Sequence, residues 1–368
     1  ANSDSEGIGT FEYAVPTDYV CLCASNLTTP AIGPTESSQA DDHFNTVLWT
    51  GNGTDGRTIT GVNFAADWVW VKSRSVARSH HLQDVVRGFN DGTKVLRSNA
   101  TTAESGVPSD QYGFVGTINS DGYTLEDGTS DGVFVNNNTE TYVAWNWKAG
   151  GSASSNSDGS ITSSVSANTA AGFSIVGYTG TGSNATVGHG LTQKPEWLVT
   201  KSRDSALNWS FLQINDMTTD KVMALQATNG EFSSAGSFIE GDFDATTFGV
   251  GTETPTNKSG DDFVAYCFHS VEGYSKVGSY VGNNSTDGPL SFTGFRPAFL
   301  LLKRKDSAAS WLIFDNKRDT FNQMQYPLFA NLTNAEYTSN LLHVDFLSNG
   351  FKIRNDTYGE TNVGTYIY

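Results

Sequence analysis

One series of motifs occurs three times along this chain, and that recurrence limits the fold more than any other feature. Its clearest copy lies between Gly172 and Gly273. There Phe173–Tyr178, Pro195–Arg203, Trp209–Leu212 and Asp262–Phe268 follow one another as short apolar runs. Upstream, Thr46–Thr50, Asp67–Arg74 and Thr141–Trp147 keep the same order; downstream, Lys276–Tyr280, Pro297–Lys305, Ser310–Phe314 and Thr365–Tyr368 repeat it. Lys72, Lys201 and Lys303 mark equivalent positions, 129 and 102 residues apart. That spacing is too long for a solenoid repeat of ~20–50 residues. It suits a β-sandwich of about 100 residues. The runs are rich in β-branched and aromatic residues and are punctuated by Gly, Asn, Asp and Thr, which is strand-and-turn chemistry. The expected architecture is all-β: three tandem β-sandwich repeats of roughly 100 residues.

Boundaries follow from the recurrence. Residues 1–42 form an N-terminal arm, 43–150 the first unit, 151–171 a Gly/Ser-rich linker, 172–273 the second unit and 274–368 the third. In the arm, Thr10–Ala14 and Tyr19–Cys23 read as strands, and Pro30 and Pro34 keep the following stretch extended. Two strands cannot bury a core alone, so the arm is expected to pair with the first unit or to close a preceding domain. Gly150–Gly159 has the composition of a flexible linker. The third unit starts at Tyr274 with almost none. Its last strand stops at Tyr368, where the other copies run on through Asn146-Trp147 and Cys267-Phe268. The expectation is a strand that continues, within a longer polypeptide.

Composition excludes several classes. The net charge of −17 repels phosphates, which argues against nucleic acid. Charged residues are 17% of the chain, below the ~25% of an average soluble protein, and Gly, Ser, Thr and Asn take their place. Cys21 and Cys23 stand two apart on one strand face, too far for a disulfide, and Cys267 has no evident partner. Stability must therefore come from packing. No apolar run reaches the ~18–20 residues of a membrane helix, and no secretory signal is recognised.

Trp68 and Trp70 alternate with Val69 and Val71, so one strand face carries both indoles; Trp145 and Trp147 repeat the arrangement. Core packing is one reading. A platform that stacks on sugar rings is the other, with Trp147 and Trp209 as the candidate glycan contacts. Asn119–Gly122 and Asp127–Gly132 read as hairpin turns, and their carboxylates could also hold Ca2+. No catalytic constellation is recognised: there is no Gly-x-Ser-x-Gly elbow, no His-Glu-x-x-His, no Walker loop and no CxxC pair. His80 and His81 are adjacent and point to opposite strand faces, a poor metal geometry. His189, between two glycines, reads as a turn residue whose ring packs on a neighbouring strand. Acidic pairs such as Asp261-Asp262 are too many to single out as glycosidase carboxylates.

Phe11–Pro16 with Cys21–Leu27, Tyr142–Gly151, and the run from Gly172 through Val187–Leu191 to Val264–Phe268 together resemble segments of tail and tail-fibre structural proteins of marine tailed bacteriophages. Tyr274–Tyr280, Gly294–Pro297 and Leu347–Arg354 extend the likeness across nearly the whole chain. In that family repeated β-sandwich units often follow a SPRY-like domain. The resemblance implies concanavalin- or jelly-roll-like sandwiches in a virion structural protein, located in the tail or a surface appendage. Implied partners are other virion proteins, a homo-oligomer (a trimer above all) and a host-surface glycan. It brings no catalytic residues. A head-fibre or decoration protein and a polysaccharide-degrading tail enzyme are the competing readings.

Overall fold

The computed structural model describes residues 2–5, 7–17, 19, 30, 32–33, 37–104, 111–339, 341–355 and 360–368. The first unit holds β1 (Phe44–Thr50), β2 (Arg57–Thr60), β3 (Trp68–Ser73), β4 (His81–Asp84), β5 (Phe114–Asn119), β6 (Gly122–Glu126) and β7 (Thr141–Trp147). The second holds β8 (Ser154–Asn156), β9 (Ser163–Asn168), β10 (Phe173–Thr179), β11 (Ala185–Gly188), β12 (Trp197–Ser202), β13 (Ser210–Gln213), β14 (Lys221–Ala224), β15 (Phe232–Ser233), β16 (Thr247–Val250) and β17 (Asp262–Phe268). The third holds β18 (Ser279–Val281), β19 (Leu290–Phe292), β20 (Phe299–Arg304), β21 (Trp311–Asp315), β22 (Leu328–Phe329), β23 (Val344–Leu347), β24 (Gly350–Ile353) and β25 (Thr365–Ile367).

The architecture is all-β, built of antiparallel sheets. One strand order recurs: β1-β7-β3-β4, then β10-β17-β12-β13, then β18-β25-β20-β21. Registers match as well, with Trp68 opposite Trp147 and Trp197 opposite Phe268. Each main sheet has a smaller companion, β2-β6-β5, β11-β16 or β19-β24-β23. The expected linker at 151–171 is not one. Its β8 and β9 extend the second unit's sheet beyond β10, because Val165 and Ser166 find ladder partners in Val176 and Ile175. In the arm, Phe11 makes only an isolated bridge to Asn2, so Thr10–Ala14 is not a strand of a sheet. The stretch Val20–Cys23, with both of its cysteines, lies outside the described residues. Asn119 and Gly122 close the β5–β6 hairpin as expected.

The main sheets are apolar on both faces. In the first unit Val69, Val71, Tyr142 and Ala144 pack inward against the companion sheet. The alternate residues Trp68, Trp70, Val143, Trp145 and Trp147 face the other way. They do not meet solvent. They meet Phe173, Tyr266 and Trp209 of the second unit and Leu301, Trp311 and Ile313 of the third in one continuous core. The third unit divides its residues likewise, sending Leu300, Leu302, Leu312 and Phe314 to its own core.

Two sets of contacts run from unit to unit around this core and close on themselves. In the first, Trp209 Nε1 donates to the Arg97 carbonyl at 2.9 Å, Trp311 Nε1 to the Ala224 carbonyl at 3.1 Å, and His80 Nε2 to the Phe329 carbonyl at 2.8 Å. Trp70 Nε1 donates to His80 Nδ1 at 2.7 Å, which puts the imidazole proton on Nε2. A neutral histidine thus imitates indole. In the second set, the backbone N–H of Glu104 donates to the Arg203 carbonyl, that of Glu231 to the Lys305 carbonyl and that of Glu336 to the Arg74 carbonyl, at 2.7–2.8 Å. Glu104 also grips Arg203, and Glu336 grips Arg74, each with two side-chain hydrogen bonds. Head-to-tail contacts of this kind form a ring when the rotation closes. Here the ring closes within one chain.

Three predictions follow from the shared core. Calorimetry is expected to give a single cooperative unfolding transition, because the shared core exposes its aromatic faces in the remaining units when any one leaves; separate transitions would contradict it. Trp209→Phe and Trp311→Phe keep an aromatic ring but lose the N–H donor and leave a carbonyl unpaired, so each is expected to cost about 1–3 kcal/mol in denaturant unfolding. The alanine variants are expected to cost about 3–5 kcal/mol. Finally, burial pushes the His80 and His81 imidazoles down to about 3. The unfolded chain then takes up protons first as pH falls below ~6.5, and stability drops from there towards pH 3. The loss is about 2 kcal/mol per histidine by pH 5. A His80→Gln variant whose acid dependence is unchanged would refute this.

Candidate functional site

The shared core does not fill evenly. Beside the third unit it opens into a cavity of about 590 Å³. Its wall is an aromatic assembly drawn from all three units: Phe44, Trp68 and Trp147 from the first, Phe173, Trp197 and Phe268 from the second, and Phe299 from the third. The rings hold one another. Trp68 and Trp147 stack at 4.4 Å between centroids, Phe173 and Phe268 at 4.6 Å, and Phe44 bridges Trp147 at 4.9 Å to Phe299 at 5.5 Å. Strand alternation places them there. Trp68 and Trp147 face each other across β3 and β7, and Trp197 and Phe268 do so across β12 and β17. Asp41, Lys276, Arg296 and Lys317 stand exposed around the opening. Such a space can bury apolar groups against ring faces while charged groups fix what lies at the mouth.

The two indoles proposed as glycan contacts part company. Trp209 is fully buried, its N–H spent on the Arg97 and Ala100 carbonyls, so it cannot stack on a sugar. Trp147 is also buried, at 8% exposure, but one side of it lines the cavity. Trp197 is half-buried on the same wall, and sequence reasoning passed over it. Its register with Trp68 and Phe299 was the available signal. Among the described residues no group of three or more His, Cys, Asp or Glu could hold a metal ion, and Asp127–Gly132 forms a loop in which the Gly128 N–H donates to the Asp131 carbonyl. His189 is buried with its Nδ1 accepting from the Leu191 N–H at 3.1 Å, a turn role. The neighbouring Gly190 sits at φ +69°, and a Cβ there would meet Val165.

The equivalent lysines are buried completely. Lys72 Nζ donates to the Ser73 carbonyl, Lys201 Nζ to Ser202 and Ser205, and Lys303 Nζ to Arg304 and Thr228. Burial brings them down to about 7, 8 and 8 respectively. A depressed lysine can be a nucleophile, yet these three have no surface a substrate could reach. They tie the ends of their own strands. Because the folded chain gives up these protons before the unfolded one, stability is expected to rise as pH climbs from 7 towards 9.5. Lys72→Met is expected to reduce that gain in a pH series of denaturation curves; an undiminished gain would contradict the assignment.

No curated protein and no solved structure matches this sequence. A family match covers residues 39–368 without a break, spanning all three units and the ring they close. The chain belongs to the family described as Domain of unknown function (DUF7483).

Proposed function

We propose that this chain is a structural component of a tailed-phage virion, part of a tail fibre or similar appendage, with a role in host-surface adhesion. The observation that carries this reading is the intramolecular ring. Three sandwiches joined through one core make a stiff acidic block whose strength does not depend on disulfides; Cys267 is buried and free. Such a block suits a particle exposed to the medium. The family likeness of Tyr142–Gly151 and Gly172–Phe268 to phage tail proteins supports the same reading. Exposed apolar side chains on the edge strands of the third unit, Val281 on β18 and Leu290 and Phe292 on β19, offer contact to other virion proteins or to a second copy. Trimeric assembly belongs to the proposal too, through surfaces other than the sheet faces already consumed inside the ring.

The test is immunogold labelling of intact particles with an antibody raised against the second unit. Gold on the tail or its fibres is the expected result. Gold over the head would replace the appendage by a decoration protein, and particles without label would overturn the virion reading.

A further inference from the structure

Each companion sheet begins at an edge strand, and the three edges are not treated alike. β2, β11 and β19 hold equivalent places: Ile59, Val187 and Ser291 point inward, opposite Tyr123, Phe248 and Phe351. The residues on either side of them face outward. In the first unit these are Thr58 and Thr60, whose hydroxyls are exposed. In the second they are Thr186 and Gly188, and that edge is covered. The Ile161 N–H donates to the Thr186 carbonyl at 2.9 Å, the Ser163 hydroxyl to the Gly188 carbonyl at 2.7 Å and the Thr186 N–H to the Ser160 hydroxyl at 2.9 Å. In the third unit the same positions carry Leu290 and Phe292, 51% and 65% exposed. Among the described residues no strand lies beyond β19.

The backbone of β19 is open at that edge. The Ile353 N–H donates to the Pro289 carbonyl and the Thr293 N–H to the Asn349 carbonyl, so positions 289, 291 and 293 are the ones bonded to β24. By alternation the N–H and C=O of Leu290 and Phe292 point away from β24, as those of Thr186 point away from β16. Native edges of this kind are usually blunted by a charge, a bulge or a cover. β19 carries no charged residue and its pairing with β24 has no register shift. Its flanks are locally neutral. Lys352 pairs with Asp287 at 2.6 Å, and Arg354 with Asp345 at 2.5 Å. On a chain of net charge −17, such an edge is a place where a second copy can approach with little repulsion.

We propose that β19 is a self-pairing edge: two copies of the chain join their β19 strands antiparallel about a twofold axis at Ser291, making their companion sheets one. Leu290 of one copy then lies opposite Phe292 of the other, and the two exchange N–H···O=C bonds through the groups that point away from β24. On the outer face each such pair sets an aliphatic side chain beside an aromatic ring. Lys352 adjoins it on the leucine side and Gly350 on the phenylalanine side. Reversal about Ser291 leaves the order apolar–polar–apolar unchanged. That is why the occupant is a second copy: an isologous contact needs a surface complementary to itself. It also closes at two copies and does not propagate. The contact is short, at the low end of interface size, so pairing is expected at high protein concentration. It makes specific the contact to a second copy raised with the virion reading, yet it needs only the isolated chain, so either can fail alone.

Sedimentation equilibrium over a concentration series reads the mass, and hydrogen exchange reads the edge. In the dilute chain the Ser291 amide is protected by β24, whereas the Leu290 and Phe292 amides exchange freely. As the mass doubles, exchange at those two amides is expected to slow at least about tenfold. Leu290→Thr combined with Phe292→Thr copies the edge of the first unit and is expected to abolish both the doubling and the protection, with Tm unchanged. Phe292→Pro removes one outward N–H without touching the β24 ladder and is expected to weaken pairing at least about tenfold. Doubling with protection at both amides, lost in the threonine variant, supports the proposal. A chain that keeps one mass throughout the series overturns it and leaves the edge to a strand of another protein. Association that leaves these amides unprotected, or that the threonine variant does not reduce, overturns it as well.

Discussion

A β-sheet that is apolar on both faces must be covered twice, and this chain has three of them. Each companion sheet covers one face only. The second faces, carrying Trp68, Trp70 and Trp145, Phe173 and Tyr266, and Leu301 and Trp311, can leave water only by meeting each other. Burial of an aliphatic or phenyl side chain stabilises by roughly 1.5–3 kcal/mol, so the common core is the dominant favourable contribution that joins the units. Everything else in the arrangement adapts to it.

The contacts around that core specify orientation more than they supply energy. A ring N–H from each unit meets a carbonyl of another, and His80 fills the role of indole because Trp70 fixes its tautomer. The buried pairs of Asp84 with Arg87 and Asp315 with Arg318 sit where neighbouring units touch. Buried ion pairs are poor sources of net stability, since desolvation offsets their attraction. They do punish wrong packing, because any other arrangement strands a charge. A heterologous contact that failed to close would propagate into a filament. Closure within the chain removes that outcome for these faces, while Val281, Leu290 and Phe292 on edge strands of the third unit stay exposed.

The aromatic cavity is lined from all three units. Its walls follow the repeat, with Trp68, Trp197 and Phe299 at matching places on β3, β12 and β20. A stiff core does not collapse into such a space, because its rings are braced by one another.

Alternation of Trp and Val on β3, and the ordered recurrence of three motifs, determined the strands, their faces and the all-β class, since side-chain direction in a strand depends only on position. The equivalence of Lys72, Lys201 and Lys303 was legible for the same reason. Local pattern did not reveal that the tryptophan face was core shared between units, so Trp209 read as a glycan contact when it is an internal hydrogen-bond donor. Nor did it show strands in 151–171, where Gly and Ser dominate and only pairing with β10 decides the conformation. The cavity and the closed ring involve residues far apart in the chain. Tertiary structure alone decided them, because which apolar face meets which is a property of packing and not of any single strand.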